Sequence, residues 1–223
     1  MKGSLKALAV IVFVAVICFL FIACDNDSET DLSIQTIRWQ PDGNGFRQFY
    51  TNDPQYLDWY FSTSYNVSNT ESNVYEIEAK KISGRDNTSY GLLFGSDSQN
   101  WYQVLITVTG GYYVGVRIGE NYTRLQDWSL SNHLRTGYNQ SNRIRVTKNG
   151  STYTIYFNNN QISSITDTFF NGNISIMGFR ASISQEENFP NTPVDVRFRV
   201  ISPPSLVALS YNRNPSEQSV SQY

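Results

Sequence analysis

One histidine and two cysteines are all that this 223-residue chain offers toward soft-metal or nucleophilic chemistry. A zinc site needs three or four Cys, His or carboxylate ligands, and a Ser/His/Asp triad would have to rest on His133 alone. His133 sits in Ser131-Asn132-His133-Leu134-Arg135, a polar stretch that reads as loop, with no recognisable partner. Charge is scarce too, at 16% of residues, and the 17 Lys and Arg stand against 19 Asp and Glu. Without a basic excess to neutralise phosphates, nucleic acid is excluded as a partner. No window of helical period with caps exceeds three turns, and so small a charged fraction excludes coiled coil. A content of 40% hydrophobic and 14% aromatic residues excludes disorder.

What is present begins with a leader. Lys2 and Lys6 form a short positive end, residues 7–23 are an unbroken apolar run, and Phe21-Ile22-Ala23-Cys24 closes it. This resembles a bacterial lipoprotein signal peptide, with Phe21 where leucine is more common. The resemblance implies removal of residues 1–23, a lipid on Cys24 and a membrane-anchored location in the bacterial cell envelope, periplasm-facing or surface-exposed. The apolar run of about 17 residues is short of the roughly 20 needed to span hydrocarbon. Loss of Lys2 and Lys6 leaves 15 bases against 19 acids, a net charge near −4. Cys18 leaves with the peptide and Cys24 is consumed by lipid, so no disulfide is available and stability must come from packing.

Residues 24–33 hold four acids after the cysteine and one apolar side chain, a composition that reads as a tether. Pro203-Pro204 stops a strand, because proline offers no ladder donor. Residues 203–223 form a polar C-terminal tail whose one apolar patch is Leu206-Val207-Ala208-Leu209. Residues 34–202 are then the domain.

Within it, apolar residues recur with period two. Tyr75, Ile77 and Ala79 share one face while Glu76, Glu78 and Lys80 share the other. Tyr102, Val104, Ile106 and Val108 alternate with Gln103, Leu105 and Thr107, so Tyr102 points inward and Trp101 points away with Gln103. Gly110-Gly111 turns the chain into residues 112–118. Ile144 and Val146 precede Asn149-Gly150, a pair suited to the two positive φ values of a tight hairpin. Tyr153, Ile155 and Phe157 follow, then residues 174–179 and 194–200; residues 46–50 and 57–67 supply the first strands. The class is all-β: a two-sheet antiparallel sandwich of jelly-roll type.

The order of these runs resembles a known family. Gly91-Leu92-Leu93-Phe94-Gly95-Ser96-Asp97 leading to Asn100-Trp101-Tyr102-Gln103-Val104, then Gly111-Tyr112-Tyr113-Val114-Gly115-Val116, is similar to the central strands of concanavalin A-like lectin/glucanase and laminin G-like jelly rolls. Asn142-Arg143-Ile144-Arg145-Val146, the Asn149-Gly150 hairpin, Ile174-Ser175-Ile176 and Asp195-Val196-Arg197-Phe198 continue the likeness over residues 74–200. The resemblance implies sugar or protein binding in most members, glycan hydrolysis in a minority and calcium in some. Asp97 is where a calcium-binding acid of the laminin G-like members would lie.

Hydrolysis demands two carboxyls about 5–9.5 Å apart. The Glu-x-Asp-x-Glu run of the hydrolytic relatives is missing, and Glu76-Ile77-Glu78, with acids about 6.6 Å apart on one strand face, continues into Lys80 as an ordinary solvated face. The expectation is a non-enzyme. Sugar binding asks instead for flat aromatic faces beside hydrogen-bonding groups. With 15 Tyr and 4 Trp the chain has them, and the most suggestive cluster is Trp101, Tyr112, Tyr122, Arg124, Asp127 and Trp128. The reading is a non-catalytic binding module for glycan, or else an adhesive or structural module for a host or envelope protein. No cofactor is expected beyond calcium at Asp97.

Overall fold

The computed structural model describes residues 41–67, 73–170 and 173–202, together with the backbone of 40 and 207–208. The signal segment, Cys24, the tether and the rest of the tail lie outside the described residues. The described residues all belong to one compact unit, and among them no helix is long and apolar enough to cross a membrane.

The strands in chain order are β1 Gln40–Pro41, β2 Arg47–Thr51, β3 Tyr60–Asn66, β4 Val74–Ser83, β5 Tyr90–Gly95, β6 Asn100–Ile106 and β7 Gly111–Ile118. They continue as β8 Asn121–Leu130, β9 Asn142–Asn149, β10 Thr152–Phe157, β11 Asn160–Thr166, β12 Ile176–Ser182, β13 Val194–Ser202 and β14 Val207–Ala208. A single 3-10 turn at Pro54–Tyr56 joins β2 to β3. Two antiparallel sheets of seven strands result, the first ordered β1-β2-β13-β4-β9-β10-β11 and the second β14-β3-β12-β5-β6-β7-β8. In each sheet one strand, β1 or β14, is only two residues long. The chain is therefore the expected all-β sandwich.

Alternation decides what lies between the sheets. Tyr75, Ile77 and Ala79 are buried from the first, and Tyr102, Val104 and Ile106 from the second. Removing apolar surface from water is worth roughly 25 cal/mol per Å², so one side of each strand commits to this layer. Aromatic rings fill it: Phe94, Tyr102 and Tyr153 stand at mutual centroid distances of 5.4 Å, and Phe179 stacks on Phe198 across the layer at 4.5 Å. Two of these phenols need partners in so dry a place. Both find Asp167, which accepts from the Tyr102 hydroxyl at 2.7 Å, the Tyr153 hydroxyl at 3.1 Å and the amides of Phe169 and Phe170.

The turns differ from expectation in one instructive respect. Asn149 pairs with Thr152, so the β9–β10 loop is Gly150-Ser151, with only Gly150 at positive φ (60°). Glycine in the first loop position is the mark of the II′ turn. The double positive φ occurs one hairpin later, at Asn158 (48°) and Asn159 (72°) between β10 and β11. Asparagine tolerates that region because its short polar side chain bonds locally.

The candidate binding face

The outer side of the second sheet is built from residues that the core alternation leaves behind. Trp101 pairs with Gly95 on β5 and Arg117 on β7, and Gln103 pairs with Leu93 and Gly115, so all six share one face. Arg180 and Gly178 of β12 join them through Gly91 and Leu93, and Tyr60 of β3 through Ser182. Trp101, Leu93 and Ile176 form a small apolar cluster apart from the core, with Tyr122 packed on it.

Every glycine inside a strand belongs to this sheet: Gly91, Gly95, Gly111, Gly115 and Gly178. One of them makes room for a ring. A Cβ on Gly115 would stand 1.9 Å from the Tyr122 hydroxyl oxygen, whereas one on Gly111 would meet the Trp128 ring at an ordinary contact distance of 3.6 Å. Without a side chain at Gly115, the phenol of Tyr122 on the edge strand β8 reaches across the face, and the Trp128 indole lies over Gly111. Trp128 then packs against Tyr113 at 4.5 Å between centroids.

Beneath them is a hydrogen-bonded floor. Gln103 Nε2 donates to the Tyr113 hydroxyl at 2.5 Å and to the Tyr122 hydroxyl at 2.7 Å. Gln103 is 1% exposed, yet its Oε1 has no hydrogen-bond partner. A buried acceptor left unmet costs about 1–3 kcal/mol, and Glu76 Oε1 on the first sheet is unmet as well. Arg180 lies across the floor, its guanidinium carbon 4.3 Å from the Tyr60 ring centre and 4.8 Å from that of Trp101. Arg117 approaches Trp101 at 5.9 Å, and its Nε donates to the Gly119 carbonyl at 2.6 Å. Burial, then the phenols of Tyr122 and Tyr60, raise the Tyr113 hydroxyl well above the usual tyrosine range against the pull of Arg180. Burial raises Tyr122 as well, although its bonds to Tyr113 and Gln103 and the charges of Arg180 and Arg124 oppose it. Both phenols keep their protons at neutral pH and can donate.

The structure distributes the sequence-predicted residues unevenly. Tyr122 and Trp128 lie on the face, half-buried and 38% exposed respectively. Arg124 and Asp127 are exposed on β8 and pair with each other at 2.8 Å. Trp101 points outward as expected but is the floor rather than a projecting platform, at 3% exposure. Tyr112 is a correction: it belongs to the core, edge-on to Phe157 at 5.1 Å, with Gln126 Nε2 donating to its hydroxyl at 2.6 Å. The outward tyrosine of that pair is Tyr113. Sequence reasoning also passed over Tyr60 and Arg180, although Arg180 between core Phe179 and Ala181 carried the alternation signal.

Asp97 does not fit a cation. Its Oδ1 accepts from the amides of Gln99 and Asn100 at 2.8 and 2.9 Å, and Asn100 Nδ2 and Ser96 Oγ engage the carboxylate further. Burial pushes its pKa up, but these hydrogen bonds outweigh it and hold the carboxyl below its ordinary value. A carboxylate wrapped in donors is closing a turn, and among the described residues no three His, Cys, Asp or Glu converge on a metal position. The acids weighed for hydrolysis sit on the opposite side of the molecule's core, on the first sheet. There Arg199 donates to Glu78 Oε2 at 2.6 and 2.9 Å, and Glu76 lies 3.9 Å from Arg143.

No protein-family model matches the chain, and no curated protein matches it. Among solved structures, the carbohydrate-binding module CBM66 from Bacillus subtilis is similar at a TM-score of 0.45 and 12% identity, over 70% of this chain and 80% of that one. A toad ovary galectin in complex with thio-digalactose follows at 0.43 and 9% identity, covering 55% and 93%. The Caenorhabditis elegans galectin LEC-6 stands at 0.41 and 7%, covering 62% and 89%.

Proposed function

We propose that this protein is a non-catalytic glycan-binding module of the bacterial cell envelope, tethered to a membrane by lipid on Cys24, with the outer face of the second sheet as its sugar site. The observation that carries the reading is the unmet Oε1 of Gln103, set beside the Tyr113 and Tyr122 phenols, with the Trp128 ring packed on Tyr113. A pyranose presents C–H faces to such rings and hydroxyls to such groups. The leader pattern ending in Cys24 supports the anchor.

The test is a glycan array probed with the full chain in detergent, in calcium and in chelator. Saturable binding that is lost in Trp128→Ala and kept in Tyr156→Ala, on the opposite face, supports the site. Absence of binding at high protein concentration, or indifference to Trp128→Ala, refutes it. Metabolic labelling with a fatty acid tests the anchor: label should vanish in Cys24→Ser, and label retained there overturns it.

A protein ligand is the second reading, favoured by the exposure along β8 of Leu125 (38%), Trp128 (38%) and Leu130 (82%). It predicts capture of a purified envelope or host protein by a chain that binds no free sugar.

A further inference from the structure

Strand side chains alternate, so two residues three apart face opposite sides of a regular strand and cannot meet. Arg124 and Asp127 of β8 are three apart, yet Arg124 Nη1 lies 2.8 Å from Asp127 Oδ1. The register of β8 on β7 explains it. Gly115 pairs with Arg124 and Val114 with Gln126, which leaves Leu125 over; Tyr112 pairs with Ser129, which sets both Asp127 and Trp128 opposite Tyr113. Gly115 and Tyr113 are successive outward positions of β7, so these two bulges bring Arg124, Asp127 and Trp128 to the outer face in a row. Bulges re-aim side chains and are concentrated at sheet edges and beside functional sites. This edge strand carries two within ten residues.

The rim they make holds the parts of a sugar subsite. Trp128 packs on Tyr113 at 4.5 Å between centroids and remains 38% exposed, an indole open to a C–H face. The Trp128 amide and Arg124 both donate to Asp127 Oδ1, at 2.9 and 2.8 Å. Those two bonds hold the carboxyl below its ordinary pKa, so it is ionised at neutral pH and fixed in orientation. Its Oδ2 is left to solvent, the Asp127 side chain being 77% exposed, and the Arg124 side chain is 39% exposed with donors beyond Nη1. An acceptor and a donor fork side by side answer two neighbouring hydroxyls, one donating to Oδ2 and the next accepting from Arg124. Opposite charges in contact sum to zero, which suits an uncharged sugar.

We infer that the β8 rim is where the sugar is chosen, and that it takes a neutral glycan presenting a vicinal diol: Trp128 covers the sugar's C–H face while Asp127 and Arg124 grip two adjacent hydroxyls. This rests on the glycan reading above and narrows it to a substrate class. An acidic glycan would bring its charge against the Asp127 carboxylate, and a sugar with no neighbouring hydroxyls free would leave one of the two groups unanswered.

The experiment measures binding of the full chain in detergent to immobilised glucose, galactose and mannose polymers of two linkages. One leaves neighbouring ring hydroxyls free; the other runs through the middle of the three ring hydroxyls and leaves none adjacent inside the chain. For whichever sugar binds, the first linkage should bind at least about tenfold more tightly, as charge-assisted bonds to both hydroxyls require. Asp127→Ala and Arg124→Met should each bring the two linkages within about twofold without moving the urea midpoint. The double variant should lose no more than either single one, because both groups serve one diol. Arg143→Met on the first sheet should alter nothing. If a variant fails to fold, the linkage comparison on the unaltered chain carries the test. Equal binding of the two linkages, or a preference that survives in both variants, overturns the diol assignment and leaves the glycan reading standing. Polygalacturonate bound more tightly than neutral galactan overturns the uncharged class. No binding to any polymer, together with a blank array, overturns both readings.

Discussion

The two outer faces of the sandwich are products of the same alternation, and they spend their polar residues in opposite ways. On the first sheet the charges answer one another. Arg199 holds Glu78, Arg197 bridges Asp195 at 3.2 Å and Asp42 at 3.3 Å, and Gln48 donates to Asp195 at 2.9 Å. Lys80 and Arg199 both lie over Phe46, and Arg145 over Tyr156. On the second sheet the one acid in a described strand is Asp127 of β8, the glycines are concentrated, and the Tyr122 and Trp128 side chains lie over a floor that keeps an unmet acceptor. Buried polar atoms without a hydrogen-bond partner occur on both faces, Glu76 Oε1 and Arg145 Nε on the first and Gln103 Oε1 on the second, so what sets the second face apart is its strand glycines and its scarcity of acids.

The contrast breaks most visibly at the rings. Trp101 is sealed at 3% exposure among Leu93 and Ile176, so Trp101→Ala removes a buried indole and should cost about 3–5 kcal/mol in urea unfolding. Tyr156 is only half-buried, and Tyr156→Ala should cost about 1 kcal/mol or less. Equal losses would mean that the second face is no more built than the first. Trp101→Ala is accordingly a poor binding control, since lost affinity would be mixed with lost fold.

Adjacent lysines on β4 repeat the contrast within one strand. Lys80 faces outward, whereas Lys81 turns inward at 1% exposure, its ammonium donating to the Arg85 carbonyl and Thr88 hydroxyl. Burial lowers its pKa to about 8, against the opposing pull of Glu187 and Asp86. Between that value and the ordinary lysine value of 10.5 the unfolded chain binds the extra proton, so stability rises with pH across this window. The rise should be on the order of 2 kcal/mol between about pH 8 and 10. Above pH 10 it reverses, because burial raises Tyr75 to about 12 and lifts Tyr90, Tyr102 and Tyr153 further, leaving the unfolded chain to lose those protons first. Thermal unfolding followed against pH should therefore peak near 10, and Lys81→Met should flatten the rising limb. A rising limb that persists in Lys81→Met would assign it to another group.

How much of this was legible beforehand depended on the distance over which the signal acts. Strands with one dry and one wet side announced themselves, so β4, β6, β9, β10 and β13 and their inward residues were readable from period two. β8 was not: nearly all of Asn121–Leu130 is exposed, and bulges opposite Tyr112 to Gly115 interrupt its register. Tyr112 was misassigned because two adjacent tyrosines look alike until Val114 and Val116 show which of them is inward. The floor of the proposed face lay out of reach for a different reason. Arg180, Trp101 and Tyr113 come together only because β12 inserts between β3 and β5, a long-range pairing that no local pattern encodes.

A smaller effect sharpens the picture of the first face. Burial pushes the Glu78 carboxyl up, yet the Arg199 and Ser141 hydrogen bonds and the charges of Arg199 and Arg143 more than compensate and hold it below its ordinary value. Its contribution is thus present above the ordinary glutamate range and is lost as pH falls through the folded value. Because Arg199 is 41% exposed, screening limits the pair, and Arg199→Gln should cost about 1 kcal/mol or less. That cost should fade in high salt and at acid pH; a cost unchanged under both conditions would show that packing of Arg199 on Phe46, rather than charge, is what matters.

The subtlest change is Gly115→Ala. The added Cβ falls where the Tyr122 hydroxyl now rests, 1.9 Å away, and what must yield is the end of a phenol on an edge strand rather than backbone. Tyr122 can swing outward at little cost to the fold, so the urea midpoint should move by less than about 1 kcal/mol equivalent. Displacement also withdraws its hydroxyl from Gln103 and from the ring surface beside Trp128, so glycan affinity should fall with the phenol's seat. The comparison of the two faces predicts this separation of binding from stability at Gly115 and nowhere on the first sheet, where no strand contains a glycine. A variant that binds as before would show that the resting position of Tyr122 has no part in recognition, and would confine the site to the floor around Arg180 and Trp101.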